Sequence, residues 1–298
     1  MKEFINFDSS KISWFHCGGK IAVYCVVETI NELVELLKKY PHYKNKILPI
    51  GAGSNILIGD EGFNGLAVKL AGDFNKMEIK NKDNNQAYLV AGSGVFDKQV
   101  AVFALKNNLI SCEFLDTIPG TIGGAVKMNA GCFDSEIKNI LVATKIFVDG
   151  KIIELQNKDL NLSYRHSELP ENAIVLEATF LLQKGTEGEI NKSAKLIEEN
   201  RQKRKENQIT GSTCGSTFAN PVDKNGMKLS AWKLLDEAGM RGYSIGGAKF
   251  SEKHCNFLIN TGTATTKDIE DLISLAKQKV KEKFEIDLHE EVKIIHDI

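Results

Sequence analysis

The sequence has no long hydrophobic run. No apolar stretch approaches the roughly 20 residues that a membrane-spanning helix needs, so no membrane partner is expected. The N-terminus, Met1-Lys2-Glu3-Phe4-Ile5-Asn6, lacks an apolar core of the secretory kind, and a cytoplasmic location is expected. Charge of one sign is also missing: 38 Lys and Arg nearly cancel 39 Asp and Glu, for a net charge of -1. That excludes broad electrostatic binding of nucleic acid, though not a local basic pocket for an anionic ligand. Proline is scarce, with 5 residues, and no tract is of low complexity, which excludes long disordered regions. Cys17, Cys25, Cys112, Cys132, Cys214 and Cys255 never fall in C-x-x-C spacing. They are expected to be plain buried or half-buried thiols, with no metal site and no disulfide framework.

The 298 residues suffice for one large domain or two to three small ones with a sizeable core. Strands are expected at Ile21–Val27, Lys46–Ile50, Leu66–Leu70 and Ala87–Ala91, and at Lys145–Val148, Lys151–Leu155 and Ile174–Leu182. Asp149-Gly150 reads as a hairpin turn. Helices are expected at Thr29–Tyr40 and at Val95–Asn107, the latter with Phe96, Val100, Phe103 and Ala104 as its apolar stripe. From Ile118 to Gly131 the chain is rich in small residues and has no period. Beyond about Lys184 the character changes to helices at Ile190–Asn207, Lys228–Ala238 and Lys267–Phe284, then a short strand from Glu291 to Ile295. Thr265-x-x-Asp268 suggests a capping box for the strongest of them. The fold class is α+β.

Two glycine-rich segments invite a ligand. Gly51-Ala52-Gly53-Ser54-Asn55 follows a strand, and consecutive N–H groups there could cradle an oxyanion. The dinucleotide fingerprint fails, because Ile56 occupies its sixth position and no helix can follow. A phosphate loop between strands and a plain tight turn both remain open. Ile118-Pro119-Gly120-Thr121-Ile122-Gly123-Gly124-Ala125, followed by Asn129-Ala130-Gly131, suits a flat ligand lying on main chain. With Gly92-Ser93-Gly94, three loops could converge on a nucleotide-containing cofactor.

The polar clusters are Tyr164-Arg165-His166-Ser167, Gly215-Ser216-Thr217-Phe218-Ala219-Asn220-Pro221, and Ser251-Glu252-Lys253-His254-Cys255-Asn256-Phe257. Ser216 has no nucleophile elbow around it, which speaks against a hydrolytic serine. Glu291 is a carboxylate at the mouth of an apolar strand.

Taken in order, these motifs, with Gly18-Gly19 before them and Glu291-Val292 after them, resemble the UDP-N-acetylenolpyruvoylglucosamine reductases over nearly the whole chain. The resemblance implies an FAD-binding domain of vanillyl-alcohol-oxidase type over residues 1–184, in two subdomains split near 65–70. A C-terminal α+β substrate domain would cover 185–298, its last strand a candidate to return to the first subdomain. It implies FAD held by Gly51, Ala52, Gly53, Ser54 and Asn55 at the diphosphate, and by Pro119, Gly120, Thr121, Ile122, Gly123, Gly124, Ala130 and Gly131 elsewhere. NADPH would reduce the flavin, which would pass hydride to the enolpyruvyl group of UDP-N-acetylglucosamine enolpyruvate. Arg165 and Glu291 would steady the charge on the carboxylate side, and Ser216 would deliver the proton. Tyr164, Asn220, His254 and Asn256 would touch substrate. The enzyme is expected to act as a monomer.

The chain departs from the family pattern at His16, at Ala219, and at Gln208-Ile209 where Gln-Pro is usual. It is too short between Ser167 and Arg201 for the inserted Tyr element of one branch, which leaves Arg201, Arg204 and Asn220 as candidates to hold the UDP. An FAD oxidase of the same fold, acting on an alcohol or sugar, and a non-enzymatic nucleotide-binding module are the competing readings.

Overall fold

The computed structural model describes residues 1–206 and 209–296. The end of the helix expected to reach Asn207 and the departure at Gln208 lie outside the described residues. The largest sheet is antiparallel, with the strand order Lys151–Gln156, Leu141–Val148, Ile174–Lys184, Gln86–Gly92 and Met77–Asn81. Leu109–Ile110 adds a short edge to the end of Ile174–Lys184. A four-stranded sheet has the order Lys2–Asp8, Lys20–Val27, Phe63–Leu70 and Ile47–Pro49, the last pair parallel. Ser244–Ile245, Ala248–Phe250 and Leu258–Asn260 form a small antiparallel sheet, and Lys293–Ile295 runs parallel to Ile56–Ile58.

Among the described residues six α-helices accompany them: α1 (Ile30–Lys39), α2 (Asp97–Lys106), α3 (Ile122–Lys127), α4 (Glu187–Glu206), α5 (Ala231–Glu237) and α6 (Thr266–Phe284). Local chemistry explains most of their limits. Thr29 caps α1 by accepting the Glu32 N–H at 3.2 Å. Thr265 and Asp268 form the reciprocal capping box of α6, at 3.0 and 3.1 Å. Asp149 and Gly150 turn with φ of 49° and 76°, the doubly left-handed geometry that suits a two-residue hairpin.

Three expectations change. The aperiodic small-residue segment contains α3, because Gly123 and Gly124 sit inside a helical turn. The buried stripe of α2 is Asp97, Val100, Ala101 and Ala104; Phe96 is the residue before the helix and is 48% exposed. α5 begins at Ala231 rather than Lys228, since Lys228 pairs with Val222 and Leu229 donates to the Pro221 carbonyl.

Packing groups the chain into two compact units. The first comprises Met1–Phe4, Val23–Ala52 and Gly65–Glu206. Its core sets Leu89, Ala91, Ala178, Phe180 and Leu182 of the large sheet against Val100, Ala104, Ile122 and Val126 of α2 and α3. Strand Gln86–Gly92 alternates buried and half-buried positions, as a sheet with one covered face must. The second unit comprises Ile5–Ala22, Gly53–Asn64 and Asn207–Ile298. Its core joins Phe15 and Leu57 to Phe218, Phe250, Leu258 and the α6 stripe Ile269, Leu272, Ile273, Ala276 and Val280. The grouping keeps α4 with the first unit and places two N-terminal segments, Ile5–Ala22 and Gly53–Asn64, in the second.

Candidate active site

In the first unit the glycine loops converge. A Cβ on Gly51 would lie 2.6 Å from Thr121 Oγ1, so the two ligand-like segments touch only because residue 51 is glycine. Residues 93–97 and 120–123 form an antiparallel ribbon: Asp97 N–H donates to Gly120 O (3.1 Å), Ile122 N–H to Val95 O (2.9 Å) and Gly123 N–H to Ser93 O (2.9 Å). Gly124 is exposed, and a Cβ on it would meet nothing within 4 Å. The result is a main-chain platform with open space over Gly124. Beneath it lie orphaned polar groups: Ser93 Oγ and both carboxyl oxygens of Asp97 are buried without a hydrogen-bond partner among the described residues.

Arg165 is fastened to the same segment. Tyr164 and Arg165 sit at the tip of a tight turn closed by Ser163 and His166, and Arg165 takes a φ of 57°. Asn129 Nδ2 donates to Ser163 O (2.9 Å), Ser167 Oγ to Lys127 O (2.7 Å) and Arg165 Nη1 to Gly131 O (2.9 Å). The guanidinium also stacks 5.2 Å from the Tyr164 ring centre. Tyr164, Arg165, Ala130, Gly131 and Pro119–Gly124 are therefore brought to one end of the first unit.

The second unit assembles the other candidates. Thr217 N–H donates to Asn256 O (2.7 Å), and Ser216 pairs with Phe257. Asn256 is buried and spends its amide on Phe218, accepting at 3.0 Å and donating at 2.8 Å. Glu291 N–H donates to Thr217 O (2.8 Å), and Asn55 Nδ2 donates to the Glu291 carbonyl (3.1 Å). Ser216 and Glu291 thus lie on neighbouring chains, with Asn55 bracing one of them. Asn220 Oδ1 accepts the Ala231 N–H at 2.9 Å and caps α5. His254 is half-buried; burial pushes its pKa below the usual histidine value, and its Nδ1 accepts the Asn256 N–H at 3.3 Å. Gly53, with φ of 74°, packs so close that a Cβ would overlap the Ile12 carbonyl.

Several candidates are committed to structural tasks. Arg201 makes a two-point ion pair with Asp116, both contacts at 2.7 Å, which fastens α4 to Glu113–Thr117. His16 Nδ1 contacts Ser10 O at 3.2 Å, and Ala219 N–H donates to His289 O at 3.0 Å. Ile209, at the position where the family has proline, is buried. All six cysteines are unpaired thiols, five buried and Cys132 half-buried. Burial pushes Cys17 and Cys255 up to about 12 and Cys25 and Cys214 up to about 11. Among the described residues no group of three His, Cys, Asp or Glu could hold a metal, and no helix is long and apolar enough to cross a membrane. Asp97 escaped the sequence reading, and Ser93 entered it only as the middle of Gly92-Ser93-Gly94. The signal for Asp97 was its i, i+3, i+4, i+7 spacing to Val100, Ala101 and Ala104, which puts a carboxylate on an apolar helix face.

Comparison with known proteins agrees with this architecture. Residues 21–156 match the FAD binding domain family, and residues 202–295 match the UDP-N-acetylenolpyruvoylglucosamine reductase C-terminal domain family. The UDP-N-acetylenolpyruvoylglucosamine reductase of Pelagibacter ubique is 38% identical over 97% of this chain and 93% of its own length. That of Rickettsia conorii is 39% identical over 97% and 94%. The crystal structure of the enzyme from Thermus caldophilus superposes with a TM-score of 0.80 at 29% identity, covering 98% of each chain. The fold is α+β with an FAD-binding domain, as the resemblance implied. The chain belongs to the UDP-N-acetylenolpyruvoylglucosamine reductase family.

Proposed function

We propose that this enzyme reduces UDP-N-acetylglucosamine enolpyruvate to UDP-N-acetylmuramate in peptidoglycan precursor synthesis, using NADPH and FAD, as a cytoplasmic monomer. The observation that carries the reading is the end-to-end family match, joined by a Ser216–Glu291 neighbourhood of the kind the chemistry needs. The platform fits a flavin: main chain without side chains at Gly120, Gly123 and Gly124, a close Gly51–Thr121 approach, and unmatched buried oxygens below. Pro119, Gly120, Thr121, Ile122, Gly123, Gly124, Ala130 and Gly131 would hold it, and Gly51, Ala52, Gly53, Ser54 and Asn55 would take its diphosphate. FAD, when bound, supplies the relay of hydride from NADPH to the terminal enolpyruvyl carbon.

The chain's own residues then manage charge and proton. Addition to an enol ether conjugated with a carboxylate gathers negative charge on the carboxylate side. The Arg165 guanidinium, oriented by its bond to Gly131 O, is assigned to that charge, an effect worth several kcal/mol in a dry site. Glu291 is assigned to the same charge. Ser216 is assigned to protonate the adjacent carbon. A serine hydroxyl is a weak acid, so placement must compensate, and bonds at Thr217 on both backbone sides supply that placement. Asn256 and His254 brace the Ser216 segment from behind, and Tyr164 and Asn220 border the substrate. With Arg201 spent on Asp116, Arg204 and Asn220 are left as the proposed contacts to the UDP.

The test is an anaerobic visible spectrum of the purified protein through one cycle. Bleaching of the flavin band by NADPH and its recovery on adding the enolpyruvyl substrate is the expected result. Recovery by oxygen but not by that substrate would favour an oxidase of the same fold. A protein that takes up no FAD would sink the reading.

A further inference from the structure

The floor beneath the Gly120–Gly124 segment holds polar groups that the proposed chemistry does not use. Asp97 opens α2 on its apolar face and is fully buried. Its Oδ2 stands where a Cβ on Gly120 would come within 2.6 Å, so the carboxyl reaches the segment only because residue 120 is glycine. Four residues earlier, Ser93 is 5% exposed, and its Cβ lies 3.1 Å from where a Cβ on Gly123 would stand. Three ribbon hydrogen bonds, Asp97 to Gly120, Ile122 to Val95 and Gly123 to Ser93, hold both residues against this segment.

None of the three side-chain oxygens has a partner among the described residues. A buried carboxyl without a partner is costly, and native chains keep few such groups. Burial pushes the Asp97 pKa well above the usual carboxylate range, which favours the protonated form, able to donate and to accept. The buried amide of Asn256, by contrast, makes both of its bonds to Phe218. Single hydroxyls of Ser9, Thr213 and Thr217 are also unmatched, but among the described residues Asp97 is the one buried carboxyl with neither oxygen paired, and it lies against the Gly120–Gly124 segment.

We propose that Asp97 and Ser93 are positioning residues of the cofactor seat, and that their unmatched oxygens are satisfied when FAD settles on the Gly120–Gly124 segment, through water enclosed beneath it. This rests on the reading that the chain binds FAD. Water is the fitting intermediary, since both side chains are buried and a trapped molecule needs two to four polar partners.

The experiment titrates flavin-free full-length protein with FAD, by fluorescence quenching, and records its thermal unfolding before addition. Asp97→Asn keeps shape, donor and acceptor, and is expected to bind FAD within about threefold of the parent chain. Asp97→Leu keeps bulk and removes polarity; it is expected to weaken FAD binding about tenfold while leaving the flavin-free Tm unchanged or higher. Ser93→Ala is expected to weaken binding in the same sense. Were Asp97→Leu and Ser93→Ala to bind FAD as tightly as the parent, the proposal falls and the cofactor reading stands. A lower flavin-free Tm with unchanged FAD affinity would make Asp97 merely structural. If Asp97→Leu does not fold, Ser93→Ala, which only deletes an oxygen, decides. A parent chain that binds no FAD overturns both readings.

Discussion

The backbone N–H of Glu291 donates to the carbonyl of Thr217 at 2.8 Å, which ties the residue after Ser216 to the C-terminal segment 74 positions downstream. The bond joins two segments that local sequence treats as unrelated. It places the proposed proton donor and the proposed charge-steadying carboxylate on adjacent chains, each braced by an asparagine: Asn256 holds the Phe218 backbone and Asn55 the Glu291 carbonyl.

Replacing Ser216 by alanine is expected to leave NADPH bleaching of the flavin intact and to slow recovery by the enolpyruvyl substrate at least about a hundredfold, the usual scale for a lost general acid. Stopped-flow spectra of the two half-reactions check this. Equal slowing of both would contradict the role.

Gly53→Ala should destabilise the second unit by roughly 1–3 kcal/mol, because residue 53 has φ of 74° and its Cβ would overlap the Ile12 carbonyl. Gly150→Ala is the control. Its φ is similar, at 76°, but a Cβ there meets nothing within 4 Å, so only the smaller backbone cost of about 1 kcal/mol applies. Urea unfolding of the two variants side by side would show whether the clash or the dihedral dominates.

Arg201→Ala is expected to lower stability by about 1–2 kcal/mol and to leave the KM for the UDP substrate unchanged. Asp116 is 1% exposed and would lose its partner, but Arg201 is 39% exposed, so solvent screens part of the pair. A large rise in KM with unchanged Tm would instead assign Arg201 to the UDP.

Two histidines should bend the stability–pH curve in opposite directions. Burial lowers the His254 pKa, so its contribution is present above the ordinary value of about 6.5 and is lost as pH falls toward its folded value. His296 is held above that value, first by its hydrogen bond to Glu61 and also by Glu270, each at 2.8 Å. Its contribution is full below about 6.5 and is lost as pH rises through its folded value. Thermal melts from pH 5 to 8 are expected to lose the acid-side slope in His254→Gln and the alkaline-side slope in His296→Gln.

What was legible in the sequence was local in origin. The stripe of α6 follows from side-chain spacing at 3.6 residues per turn: Ile269, Leu272, Ile273, Ala276 and Val280 share one face and are buried. The Asp149-Gly150 hairpin follows from which residues tolerate positive φ. The strand after Gly51–Asn55 follows from Ile56-Leu57-Ile58, an apolar triplet that cannot open a dinucleotide helix. The order of the short motifs carried the family. α3 was illegible because its glycines are poor helix formers, and burial of Ile122, Ala125 and Val126 overrides that preference.

By itself the sequence determined most of the longer elements, the α+β class and the membership of the family, because these depend on spacing along the chain. The tertiary structure decided which distant groups share a neighbourhood. It set Glu291 beside Thr217, spent Arg201 on Asp116, gave Asn220 to the N-terminus of α5, and enclosed Asp97 against Gly120 without a partner among the described residues. Those outcomes turn on how cores close over segments tens to hundreds of residues apart. Hydrophobic burial is non-directional, and no periodicity in the chain specifies which polar group it will trap or pair.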